Sequence, residues 1–273
     1  MRRDFLVGIG LLASVGTGVG SAVAADMPVR PAAAPAMVAP VFLPDWAGFY
    51  VGIHGGGGWG RESFESSISH FECSCGGLTA FTFPPNVNPK GGVFGFQFGH
   101  NWQWGPVVGG LEIDYSGADI HGSSTFTVFD RFNDPNTLTT DKKIDALASV
   151  RGRLGYLIIP SVLLYGTAGI GWGHERITTT FTQINHLTGS LDDEENQISN
   201  LNMFGWVAGV GLEWKFWPGS NSWLLRGEWL HYDFGKVTNA TNNPFFANSD
   251  FPIDLGNVRT TVDVARAALS YKF

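Results

Sequence analysis

Phe94-Gly-Phe-Gln-Phe-Gly-His-Asn-Trp-Gln-Trp104 is the stretch that decides the fold. Its even positions carry Phe94, Phe96, Phe98, His100, Trp102 and Trp104; its odd positions carry Gly95, Gln97, Gly99, Asn101 and Gln103. Successive side chains of a strand point to opposite sides, so this is a strand with one aromatic face and one small or polar face. From Phe49 to Trp59 the pattern repeats, with Phe49, Val51, Ile53 and Trp59 against Tyr50, Gly52, His54, Gly56 and Gly58.

Six later segments keep the period. Val107, Leu111, Ile113 and Tyr115 oppose Glu112 and Asp114; Ala148, Val150, Leu154 and Tyr156 oppose Ser149, Arg151 and Arg153. Leu164, Ala168, Ile170 and Trp172 oppose Tyr165, Thr167 and Glu175, and Phe204, Trp206, Val210, Leu212, Trp214 and Phe216 oppose Glu213 and Lys215. Trp223, Leu225 and Trp229 oppose Arg226 and Glu228, and Leu269, Tyr271 and Phe273 oppose Arg266, Ser270 and Lys272. Each strand is long enough to cross hydrocarbon at the tilt that barrels adopt. Short connections at Gly105-Pro106, Ile159-Pro160-Ser161 and Pro218-Gly219-Ser220-Asn221 alternate with long ones near 61–91, 120–144, 177–201 and 236–257. That order predicts an all-β, eight-stranded antiparallel up-and-down transmembrane barrel with short periplasmic turns and four long outer loops.

A soluble barrel also alternates, with its apolar face inside. The N-terminus argues for the membrane. Arg2 and Arg3, an apolar run from Phe5 to about Gly20, and Ala22-Val23-Ala24-Ala25 form the parts of a secretory signal peptide over residues 1–25. The apolar run is shorter than the roughly twenty residues a spanning helix needs. Residues 26–44, with five prolines, read as a periplasmic linker, leaving 45–273 as the barrel. Aromatics clustered at strand ends and the terminal Phe273 add to the membrane reading. Without residues 1–25 the formal charge is about −8, an acidic balance that argues against nucleic acid. Cys73-Ser-Cys75 is too closely spaced for an unstrained disulfide and lacks further metal ligands nearby.

Trp46-Ala-Gly-Phe-Tyr-Val-Gly, Gly95 to Trp104, Ser149-Val-Arg-Gly-Arg-Leu-Gly-Tyr and the ending Ala-Leu-Ser-Tyr-Lys-Phe273 resemble the opacity-type outer-membrane barrels. Within them the chain is most similar to the alphaproteobacterial "porin family" surface antigens, or outer-membrane immunogenic proteins. The resemblance spans residues 45–273 and is carried by the strands. It implies an outer-membrane location and a closing Tyr-x-Phe, here Tyr271 and Phe273, read by the barrel assembly machinery, and it offers no shared catalytic residues to carry over; no cofactor is expected.

An eight-stranded barrel has room only for side chains or one small ligand. Glu112, Asp114, Arg151, Arg153, Glu175, Glu213, Lys215, Arg226, Glu228 and Arg266 fall on the inward face, five acidic and five basic, and are expected to pair into a network that fills the lumen. The alternative is an ion path lined by Glu112, Asp114, Arg151 and Arg153. Catalysis would need a nucleophile beside a base, for which His121-Gly-Ser123 and Ser69-His70 are the candidates; a haem site would draw on His70, His121 and His186. His174-Glu175-Arg176 is not a zinc motif, since Thr178 stands where the second histidine belongs. The loops, with Phe126, Phe129, Phe132, Phe245, Phe246 and the run Asp192-Asp193-Glu194-Glu195, are candidate surfaces for a host or other extracellular ligand. Outer-membrane lipid and lipopolysaccharide are the expected surroundings of the wall.

Overall fold

A computed structural model describes residues 45–65, 72–73, 77–78, 87–129, 135–184, 191–216, 221–237 and 257–273. Residues 1–25 and 26–44, read from the sequence as signal peptide and linker, lie outside the described residues, as do Cys75, His70 and His186. The described residues form ten strands: β1 (Gly48–Glu65), β2 (Glu72–Cys73), β3 (Gly77–Leu78), β4 (Lys90–Trp104), β5 (Val107–Phe129), β6 (Pro135–Ile159), β7 (Val162–Ile184), β8 (Leu191–Lys215), β9 (Ser222–Val237) and β10 (Asn257–Lys272). β2 and β3 pair only with each other, and the other eight close into one antiparallel barrel in chain order. β1 and β10 seal it, with Tyr50 opposite Lys272 and Glu65 opposite Asn257. No sheet edge is left among these eight, so every strand has a hydrogen-bonded neighbour on both sides. Hydrocarbon, which offers no partner for an amide, requires this.

Short turns gather at one end. β4 passes to β5 through Gly105-Pro106, where Gly105 adopts φ +59°, a conformation that side-chain-bearing residues rarely enter. β6 passes to β7 through Pro160-Ser161.

At the other end the strands run farther than the polar composition suggested. Segments 120–144 and 177–201, expected as loops, are mostly paired strand: the β5–β6 ladder continues to Phe129 opposite Pro135, and the β7–β8 ladder to Ile184 opposite Leu191. β6 and β7 pair in turn from Asn136 opposite Gln183. Ladder hydrogen bonds do not need an apolar face, and β-branched threonines favour the extended backbone. Cross-strand hydroxyl pairs add to them, Thr125 with Thr139 at 3.2 Å and Thr127 with Thr137 at 3.3 Å. Around 61–91 and 236–257 the barrel strands likewise continue to Glu65 and Val237.

The pleat divides the wall as the alternation requires. Leu212 is 46% exposed and Val150 55%, whereas Glu213 and Arg151 are 0% and 1% exposed. A soluble barrel would not leave Phe94, Phe96, Phe98, Trp104, Ile113, Leu154, Ile170, Phe204 and Trp206 on its outer surface, each more than 45% exposed. Arginine at Leu212 therefore meets lipid and should destabilise the barrel by about 2–4 kcal/mol, measured by denaturant titration of protein refolded in vesicles. Lipid-soluble quenchers should reach a fluorophore at position 212 and not one at 213.

Candidate functional site

The candidate site is the barrel interior, which is built in three layers. Nearest the short turns, Trp46, Val108, Leu157, Leu163, Tyr165 and Leu224 form an apolar cluster. Trp46 precedes β1 and folds into the opening. Its backbone N–H donates to Gln103 Oε1 at 2.7 Å and its indole N–H to the Pro160 carbonyl at 3.1 Å. Lys215 belongs to this end, donating to the Asp45 carbonyl at 2.8 Å, and Lys272 Nζ lies 3.7 Å from the Asp45 carboxylate.

Above this plug Arg151, Arg153, Arg226 and Arg266 interleave with Glu112, Asp114, Glu213 and Glu228, all fully or almost fully buried. Register explains why they meet. Glu112 lies opposite Arg151, Glu213 opposite Arg226, and Glu228 opposite Arg266, so adjacent strands deliver opposite charges side by side. Closure then brings the pairs together. Glu112 receives Arg151 at 2.5 Å on one oxygen and Arg226 at 2.6 Å on the other; Arg226 reaches on to Glu213 at 3.3 Å, and Arg153 also pairs with Glu213. Glu228 accepts from Arg151 at 3.1 Å and from Arg266 Nε at 2.8 Å, while Arg266 reaches Asp114 at 2.7 Å. Ser149 donates to the other Asp114 oxygen. Ionised carboxylates accepting from guanidinium forks give the stronger class of hydrogen bond, and each carboxylate here has more than one such donor or a hydroxyl besides.

Two tyrosines complete the layer. Tyr50 donates to Glu112 at 2.6 Å and Tyr165 to Glu228 at 2.8 Å, and the Arg153 guanidinium lies 4.2 Å from the Tyr165 ring centroid. Each ring occupies space that a glycine on the next strand leaves open. Tyr50 is paired with Gly99 and Tyr165 with Gly211, and a Cβ built on either glycine would lie 2.3 Å from the phenolic oxygen. Beside them His54 bridges Gln97 Oε1 at 3.0 Å and Ser116 Oγ at 2.7 Å, and Gln97 donates to Ser270 at 2.9 Å.

The third layer, toward the long connections, is apolar: Val93, Ile120, Ile144, Leu147, Met203, Val207, Leu230, Tyr232, Phe234, Val262 and Val264. The charged layer is thus held between two apolar ones.

Of the ten inward charges read from the sequence, eight form this layer. Glu175 is buried elsewhere, 4.0 Å from Lys142, and Lys215 is at the Trp46 end. Sequence reasoning did not single out Tyr50, Tyr165, Trp46, His54 or the apolar layers. For the tyrosines a signal existed, since both are bulky residues at inward parity opposite an inward glycine once the register is known. His121 is exposed on the outer wall, its Nδ1 3.8 Å from Asp119, beyond hydrogen-bond reach. Ser69, the side chains of Phe126 and Phe129, Phe132, Phe245, Phe246 and the side chains of the 192–195 acidic run lie outside the described residues. Tyr271 and Phe273 are on the lipid side, 6.3 Å apart, with Phe273 54% exposed.

Leaving a buried charge without its partner is more damaging than removing the pair. Glu112→Leu should destabilise the barrel by about 3–5 kcal/mol, and Glu112→Leu with Arg226→Leu should recover part of that loss. Equilibrium unfolding of the two singles and the double measures the coupling.

A family model described as an outer membrane protein beta-barrel domain matches residues 31–273. The 31 kDa outer-membrane immunogenic protein of Brucella melitensis is 29% identical over 257 residues, 93% of this chain and 94% of that protein. The 22 kDa outer membrane protein of Rhizobium leguminosarum is 32% identical over 192 residues, 70% of this chain and 61% of that one. Among solved structures, Neisserial surface protein A aligns over 83% of this chain and 98% of its own with 11% identity and a TM-score of 0.34, too loose a likeness to argue from.

Proposed function

The chain belongs to the outer-membrane β-barrel protein family, and from that premise we propose that this outer-membrane protein is a structural surface antigen with a filled lumen, presenting its outer connections to the surroundings of the cell. The observation that carries the reading is the layered interior. An ion moving along the axis would have to pass the Trp46 cluster, then Arg–carboxylate pairs whose hydrogen bonds it must break, then the Ile120–Tyr232 cluster. Glu112, Asp114, Arg151 and Arg153, the candidate lining of an ion path, are bound to one another or to the rest of the network rather than lining open space. The likeness to the 31 kDa outer-membrane immunogenic protein of Brucella melitensis supports the surface-antigen part. A non-enzymatic reading draws on the same layering, because the Ser116–His54–Gln97 chain, which has the order of a nucleophile, base and orienting group, is buried in the wall of the charged layer.

Purified, refolded barrel in a planar bilayer should give no stable open level; a reproducible unitary conductance would refute the filled-lumen reading. Tyr271 and Phe273 are proposed as the signal for the assembly machinery, their rings outward at the last strand's end. Deleting Phe273 should lower the amount of heat-modifiable barrel in the outer membrane far more than deleting residues 27–40, which leaves the closing strand intact.

A further inference from the structure

We propose that the outer wall of β4–β7 carries a docking site for the phosphate groups of lipopolysaccharide, formed by Lys90, His121, Lys143 and Arg176. The four are successive cross-strand partners: Lys90 lies opposite His121, His121 opposite Lys143, and Lys143 opposite Arg176. With strands about 4.8 Å apart, three ladder steps place four basic side chains along roughly 14 Å of wall. All four face outward and are exposed, the side chains of His121, Lys143 and Arg176 by 68%, 46% and 53%.

Their depth points to a headgroup. Lys90 stands four residues outward of lipid-facing Phe94 on β4, and Arg176 four residues outward of Trp172 on β7, so the row begins where the aromatic band ends. Beyond it the same strands present a hydroxyl-rich surface, Ser123, Thr125, Thr137, Thr139, Thr178 and Thr180, that continues the ladder into water. Apolar wall, then cations, then hydroxyls follow the order of acyl chain, phosphate and sugar in lipopolysaccharide. A phospholipid has no sugar to fill the last of these. Asp119, 3.0 Å from Lys143, and Asp145, 3.7 Å from Lys143 and 3.8 Å from Arg176, hold the long side chains against the wall; with His121 neutral the row exceeds these two carboxylates by one positive charge, and exposed Asp141, opposite Ser123 and Thr178, stands one outward-facing position beyond Lys143. The inference rests on the family's placement in the outer membrane with the long connections outward, and is independent of whether the lumen conducts.

The test uses refolded barrel in neutral detergent, with bisphosphorylated lipid A, its dephosphorylated form and phosphatidylglycerol as probes. Each cation beside an anionic headgroup is worth about fivefold in binding. Lys90→Gln/Lys143→Gln/Arg176→Gln should therefore weaken bisphosphorylated lipid A binding by about tenfold, allowing for Asp119, Asp141 and Asp145. The charge-keeping variant Lys90→Arg/Lys143→Arg/Arg176→Lys should bind as the unaltered protein does, and the dephosphorylated form should not discriminate among the three. Equal binding of bisphosphorylated lipid A by the unaltered and neutralised barrels would overturn the proposal, as would an equal or greater loss with phosphatidylglycerol. If the triple variant does not refold, a nitroxide-labelled lipid A headgroup quenching a fluorophore at His121→Cys, but not one at Thr261→Cys on β10, supports the site. Equal quenching at the two positions contradicts it.

Discussion

Hydrocarbon offers a backbone amide no hydrogen-bond partner, and the rest of this structure follows from that constraint. A strand in the bilayer must be paired along both edges, so β1 must find β10, and eight strands close into a barrel too narrow to hold bulk water comfortably. Once closed, the wall assigns every side chain to lipid or to the interior by parity alone. Apolar residues can satisfy the lipid side; the interior must be filled to protein density by whatever the inward positions supply.

The inward positions supply two solutions in different layers. At the two ends they are apolar and pack as an ordinary core. In the middle they are arginines and carboxylates in equal number, whose desolvation is offset only because each charge meets several opposite partners and two tyrosine hydroxyls. Glycines opposite Tyr50 and Tyr165 give the rings room to lie across the neighbouring strand. Charge here serves register as well as packing. A one-residue slip of β5 against β6 would move Glu112 away from Arg151 and turn one of them to lipid.

Parity was legible in the sequence because a period of two leaves little room for error over ten residues. Leu212 and Glu213 divide as the alternation says. Strand ends were less legible. Around Thr125 and Thr139 both faces are polar, which reads as loop, yet a paired polar strand is stable next to a rigid wall. The apolar end layers escaped for the opposite reason. Near the short turns Leu163-Leu164 and Leu224-Leu225 are apolar on both faces, so the alternation that marks an inward residue disappears where the plug is built. Network membership required the register as well. Glu175 faces inward as Glu112 does, but the register puts it six residues along β7 beyond Gly169, the partner of Arg151, where it meets Lys142 instead.

Whether paired charges or water fill the middle of the barrel can be measured on the guanidinium protons themselves. In refolded protein labelled with ¹⁵N-arginine, the Nη protons of Arg151, Arg153, Arg226 and Arg266 should be resolved and should exchange with solvent far more slowly than those of Arg176, which is exposed on the outer wall. Exchange of the four interior arginines as fast as that of Arg176 would mean a hydrated lumen in place of a paired one.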